Sequence, residues 1–282
     1  MESKETTNRW LERILIAKRR DLDRDRLLIP LSELEKRIKP AQAGRFRQAL
    51  EKARSEQQKA VIISELKSAS PSRGIICRNY DPVRIAQSYQ KAGAAALSIL
   101  TNQEFFSGSL DHLKMVRSVT SLPLLRKDFT ISEYHLYEAV AAGADAILLI
   151  VAAISPTELS RLLIQSHQLG LDALVEVHSA EELKIAIDAG SDMIGVNNRD
   201  LTTFEVSLDT SLKLIADIPD STLAISESGI KTANDLVRLH NAGFDAFLIG
   251  ERFMDQPDPG YALAQFLSSL PNRQIAASGQ SL

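Results

Sequence analysis

The sequence contains a single cysteine, Cys77, among 282 residues. No intrachain disulfide can form, and a reducing compartment is the simple reading. A signal-peptide core is missing too, because the first ten residues, MESKETTNRW, are polar and charged. No apolar run approaches the roughly 20 residues of a membrane helix; AILLIVAAI at 146–154 is typical of the longest. A strong charge of one sign is also lacking. The formal net charge of −3 offers no overall attraction to nucleic acid or to an anionic membrane, although an anionic small ligand needs only a few local cations. The five histidines, 112, 135, 167, 178 and 240, show no metal-ligand spacing, and H-E-x-x-H does not occur. These absences describe a soluble cytoplasmic protein with no metal, membrane or nucleic-acid partner.

What is present is a repeat. KAGAAALSIL (91–100), AAGADAILLI (141–150), DAGSDMIGVN (188–197) and NAGFDAFLIG (241–250) each carry Ala-Gly, a short gap and an apolar run. The glycine stops a helix in the left-handed region, and the run after it is a strand buried on both faces. Ahead of the successive copies lie AVIISEL (60–66), LPLLRKDF (122–129), LDALVEV (171–177) and STLAISES (221–228). Interleaved, the two sets give eight strands at a βα-unit step. Helix starts fall between them at Ser155-Pro156-Thr157-Glu158, Ser179-Ala180-Glu181-Glu182 and Thr232-Ala233-Asn234-Asp235, and PGYALAQFLSSL supplies a last helix. The fold class is α/β, a closed (β/α)8 barrel. An open doubly wound sheet is disfavoured, since neither the G-x-G-x-x-G nor the P-loop glycine pattern occurs. We divide the chain into a helical extension over 1–55 and a barrel over 56–282. Helices within NRWLERILIAKRRDL and PAQAGRFRQALEKA are expected to cover the barrel's floor or its mouth. The charge-rich piece 17–26 reads as a solvated face.

Barrel chemistry belongs at C-terminal strand ends. Reading only those positions gives Glu65 and Lys67, then Lys127, Glu176 with His178, Asn197 with Asn198 and Arg199, Glu227 with Ser228-Gly229, and Gly250-Glu251. Charged groups closing apolar strands are costly unless paired or used, and so many on one rim point to use. Glycines after strands 7 and 8 are the usual phosphate cradle of this fold, with Lys67 a cationic partner. Period-2 alternation turns Glu65 and Lys67 to the same side and Leu66 to the helices.

The pieces SELKSASPSRG (64–74), LRKDF (125–129), LVEVH (174–178), IGVNNRDL (194–201), SESGI (226–230) and FLIGERFM (247–254) resemble the indole-3-glycerol phosphate synthase family in order and spacing. The resemblance implies ring closure, decarboxylation and dehydration of an anthranilate-ribulose phosphate in tryptophan biosynthesis, without cofactor. It implies Lys127 as general acid, Glu176 in charge stabilisation or proton transfer, and Glu65 with Lys67 in the dehydration. Asn197 and Glu227 would orient the substrate. Ser70, Phe106, Phe129, Arg199 and Ser228 would border it, with the rings of Phe106 and Phe129 flanking the anthranilate. Gly229, Gly250, Glu251 and Lys67 would serve the phosphate. Which proton comes from Lys67 and which from Lys127 stays open. Arg252 and Phe253 are bulkier than the resemblance leads one to expect, and the Glu251 side chain must turn from the phosphate. A monofunctional chain is expected, monomeric, with a homodimer as the alternative. The rival, a phosphoribosylanthranilate isomerase, would call for a cysteine where Glu65 stands. A binding-only barrel would need neither Lys127 nor Glu176. For His178 loop packing is preferred to catalysis, and the loop 68–80 is expected to move during turnover.

Overall fold

The computed structural model describes residues 9–38, 42–56, 60–200 and 203–271. The first residues of both N-terminal helix motifs, Leu201 of IGVNNRDL and the stretch 272–282 lie outside the described residues. Eight strands run parallel: β1 (Ile62–Leu66), β2 (Ala96–Leu100), β3 (Leu124–Lys127), β4 (Ala146–Ile150), β5 (Asp172–Val177), β6 (Met193–Asn197), β7 (Leu223–Glu227) and β8 (Ala246–Ile249). They pair in sequence order and β8 returns to β1, closing the barrel. Successive residues serve two cores. Ile63, Leu125, Leu148, Leu174 and Ile225 fill the barrel interior. Ile62, Leu66, Leu124, Leu149 and Val175 meet the helices outside. That is why the strands read as unbroken apolar runs.

Three helices precede the barrel: α1 (Arg9–Leu28), α2 (Leu31–Arg37) and α3 (Arg45–Ser55). The barrel helices are α4 (Pro82–Ala92), α5 (Leu110–Arg117), α6 (Glu133–Ala142), α7 (Pro156–Gln168), α8 (Ala180–Asp188), α9 (Asp209–Leu214), α10 (Ala233–Ala242) and α11 (Pro259–Ser269). All four repeat glycines, Gly93, Gly143, Gly190 and Gly243, take positive φ. Ser155, Ser179 and Thr232 accept backbone N–H bonds as N-caps. Of these three, Thr232–Asp235 closes a reciprocal capping box, while Glu158 turns to Arg161 and Glu182 to His178.

The extension serves both ends of the barrel. At the floor, α3 buries Phe46 and Leu50 and meets an aspartate at the start of four strands. Arg45 pairs with Asp145 (2.8 Å), Arg47 with Asp192 (2.6 Å) and Arg54 with Asp245 (2.7 Å). Asp172 accepts the backbone N–H groups of Phe46 and Arg47 at the first turn of α3, where helix N-termini favour negative charge. Three of these aspartates are the Asp of the Ala-Gly repeat. At the mouth, Trp10 on α1 lies edge-on to Phe105 and Phe204.

The charge-rich piece corrects one expectation. Lys18 is only 8% exposed and its ammonium lies 2.7 Å from Asp128, which also takes Thr101 Oγ1 and Arg126. Its solvated neighbours hid it: in a run of alternating charges, the one that faces the barrel looks like the rest. Burial opposes the Asp128 charge, but Lys18 and Arg126 outweigh it and hold the carboxyl well below its usual range.

Candidate active site

The C-terminal strand ends surround a cavity of about 500 Å3. Its charged floor divides into two clusters. Lys127 Nζ lies 2.6 Å from Glu176 Oε2 and 2.7 Å from Glu227 Oε2. Lys67 Nζ lies 2.6 Å from Glu65 Oε1. Strand alternation thus puts Glu65 and Lys67 together in the mouth, while Leu66 is buried among the helices.

Glycine makes room for two of these carboxylates. A Cβ on Gly250 would strike Glu65 Oε1, and a Cβ on Gly195 of β6 would strike Glu227 Oε1. Gly250 has a steric duty here, a reading that its place at a strand end allows alongside the phosphate cradle. Gly195 was not singled out at all, since nothing near it in sequence reveals a carboxylate arriving from the next strand.

Glu176 and Glu227 share one ammonium but differ in their other neighbours. Burial raises both. Glu176 also has His178 beside it and a hydrogen bond with Asn197, and with Lys127 these bring it below the ordinary glutamate value. Glu227 is pushed up to about 7 by burial and by the Glu176 charge, against the pull of Lys127. Its Oε1 is buried without a hydrogen-bond partner among the described residues. For Lys127 burial disfavours the ammonium, yet Glu176, Glu227 and Glu65 overcome it and hold the pKa above the ordinary lysine value.

The rest of the wall is graded around the ring. Phe106, after β2, and Phe129, after β3, lie with ring centroids 6.4 Å apart. Across the mouth, Ser228 and Gly229 both take positive φ at the end of β7. Asn198 fixes that turn, donating to Ser226 Oγ (3.0 Å) and to the Glu227 and Ser228 carbonyls (3.0 and 3.1 Å). Asn197 Oδ1 accepts the Arg199 N–H at 3.0 Å. Glu251 sits on the rim between Arg73 (2.8 Å) and Arg199 (3.1 Å). Burial opposes its charge, but those arginines and Lys67 keep it below the usual carboxylate range. Phe253 turns away into the core against Tyr89 and Phe266, while Arg252 lines the cavity and donates to the Lys231 carbonyl.

The loop after β1 forms a two-stranded hairpin, Ala69–Ser70 with Gly74–Ile75. Ser70 lines the cavity, and Arg73 reaches Glu251 from this hairpin. Cys77 packs against the outer core instead. Among the described residues no group of three or more His, Cys, Asp or Glu side chains is placed to hold a metal ion. The site offers two lysines and three carboxylates for proton transfer, with an aromatic wall after β2 and β3 and a glycine-turn wall after β7 and β8.

A family profile described as indole-3-glycerol phosphate synthase matches residues 11–266. The protein of that name from Chloroherpeton thalassium is 46% identical over 242 residues, covering 86% of this chain and 93% of that protein. The one from Carboxydothermus hydrogenoformans is 41% identical over 263 residues, 92% of this chain and 100% of that protein. Among solved structures, thiamine phosphate pyrophosphorylase from Pyrococcus furiosus has a TM-score of 0.56 at 16% identity, over 76% of this chain and 96% of that one. At that identity the likeness speaks for the fold alone.

Proposed function

This chain belongs to the indole-3-glycerol phosphate synthase family, and from that premise we propose how its mouth residues divide the reaction. The reaction is ring closure with loss of carbon dioxide and water, a carbon–carbon lyase step of tryptophan biosynthesis on a phosphosugar substrate. The substrate in this reading is carboxyphenylamino-deoxyribulose phosphate. Its anthranilate ring lies against Phe106 and Phe129, and its phosphate meets Ser228, Gly229, Gly250 and Glu251, with Lys67 nearby. The order of strands supports this direction, because β2–β3 and β7–β8 lie on either side of β1.

Lys127 acts as the general acid of ring closure. Its raised pKa keeps it an ammonium, and the alkoxide that develops on the ketone oxygen is the stronger base, so the proton moves to oxygen as the carbon–carbon bond forms. Glu176 balances the positive charge that the ring and nitrogen acquire before carbon dioxide leaves. Glu65 removes the proton in the dehydration while Lys67 assists the departing hydroxyl. Glu227 offers its unpartnered Oε1 to the ribulose hydroxyls, Asn197 holds Glu176, and Arg199 and Ser70 close the rim. The helical extension, α1 to α3, packs on the barrel, and the protein works as a cytoplasmic monomer without cofactor. Among the described residues no helix is long and apolar enough to cross a membrane.

The observation that carries this reading is the Lys127 ammonium, clamped between two carboxylates under a cavity with an aromatic wall and a glycine-turn wall. Indole fluorescence from the anthranilate-ribulose phosphate tests it. Lys127→Ala is expected to lower kcat by about 10²–10⁴-fold. A variant retaining a tenth or so of the wild-type rate would end the general-acid assignment.

A further inference from the structure

His178 lies just beyond β5 and is tied to Glu182. Its backbone N–H donates to Glu182 Oε2 at 2.7 Å, and its ring Nδ1 lies 3.1 Å from the same oxygen. Glu182 is itself set in the first turn of α8, where its N–H donates to Ser179 Oγ. The other ring nitrogen, Nε2, faces Glu176 Oε1 at 3.5 Å. Nε2 is buried and makes no hydrogen bond among the described residues, so Glu176 Oε1 is a facing charge and not a bonded partner. Glu176 is thus bonded to Lys127 through Oε2 while its Oε1 faces the His178 ring edge.

This contact has a preferred protonation state. Nδ1 needs its proton to donate to Glu182. A bare Nε2 would then set a nitrogen lone pair against a carboxylate oxygen with water excluded, which is repulsive. A proton on Nε2 reverses the sign. We propose that His178 is a positioning residue for Glu176: as an imidazolium braced by Glu182, it keeps Glu176 ionised and turned so that Oε2 meets Lys127. The proposal deepens the catalytic reading above and rests on the role given there to Glu176.

The charged groups that face His178 are Glu176 beside it at the end of β5, Glu182 from α8 and Glu227 from β7, with Lys127 of β3 beyond Glu176. Burial opposes protonation, but the three carboxylates prevail and raise the ring above the ordinary histidine value. The pH consequences have definite signs. Below that raised value the ring is cationic and Glu176 is braced. As pH climbs through it, Nε2 loses its proton and the brace is lost, so kcat declines on the alkaline side. Without the imidazolium, Glu176 is easier to protonate, and the acid limb moves to higher pH.

The test is kcat and KM across about pH 5–9 for the wild type, His178→Gln, Glu182→Gln and Glu176→Gln. His178→Gln is expected to lose kcat by about ten- to a hundredfold, with KM changed far less. Its acid limb should move up and its alkaline decline should flatten. Glu182→Gln should shift the same limbs by less. A His178→Gln profile parallel to wild type, with Glu176→Gln inactive, would overturn the positioning role alone. A fully active Glu176→Gln would remove the assignment of Glu176 and this proposal with it. Should His178→Gln not fold, the His178 ring resonance in the wild type decides. Titration above the ordinary histidine range, falling in Glu182→Gln, supports the proposal, and titration at or below that range refutes it.

Discussion

Glu176 and Glu227 are the same side chain around the same ammonium, and their surroundings set them apart. Glu227 has the clearer stability signature. Its folded pKa of about 7 lies above the unfolded value of about 4.3, so folding takes up a proton between the two. Its contribution is therefore full below the unfolded value and is lost as pH rises through about 7. Glu227→Gln removes the titrating group while keeping an acceptor for Lys127. Tm measured from about pH 5 to pH 8 should fall with pH in the wild type and fall less in the variant; matching slopes would contradict the assignment. The glycines that admit the carboxylates give a second residue-scale prediction. Gly→Ala adds one methyl group, yet at Gly195 or Gly250 that methyl meets Glu227 or Glu65. Each variant should lose kcat by about 10²-fold, since a displacement near 1 Å at a reacting group suffices. Steady-state kinetics with near wild-type rates would show that the carboxylates need not stay where they stand.

Elements divide between floor and mouth. Phe46 on α3 is buried at the floor, away from the reacting groups. Phe46→Ala should cost about 3–5 kcal/mol in a denaturant titration while kcat at low temperature stays close to wild type; a large kcat loss would mean that the floor communicates with the chemistry. Element order was largely legible in the sequence because every strand is an apolar run and four of the eight also follow an Ala-Gly helix stop. All eight strands emerged from that rhythm. Short elements did not. The seven-residue α2 and the hairpin of Ala69–Ser70 with Gly74–Ile75 have no period to detect. The ends of the strands were legible for the same reason that they are useful: Glu65, Lys127, Glu176 and Glu227 interrupt apolar runs. Pairing among them was not, because a period of 2 tells which face a residue takes and nothing about its opposite across the barrel. That Lys127 belongs to Glu176 and Glu227, and Lys67 to Glu65, needed coordinates. So did His178, whose two-residue offset from Glu176 also suited a packed loop, and Gly195, whose empty side becomes visible only with Glu227 in place.

At the scale of the whole molecule, α3 has partners that are scattered along the chain. It touches the starting ends of β4, β5, β6 and β8 through Asp145, Asp172, Asp192 and Asp245. Those four carboxylates come together only when the sheet has curled and the final strand has found the first. A helix close to the N-terminus therefore has nowhere to dock until residues synthesised almost two hundred positions later have arrived. It is made early and seated late. We expect its contacts to form after the main barrier of folding and to act as a latch against opening. Arg47→Ala should accordingly hasten unfolding while leaving the refolding rate within about twofold. Equal effects on both limbs of the chevron would instead put α3 in the folding nucleus. The floor helix then sets how long a finished barrel lasts, and the strands that carry the chemistry set how fast one is made.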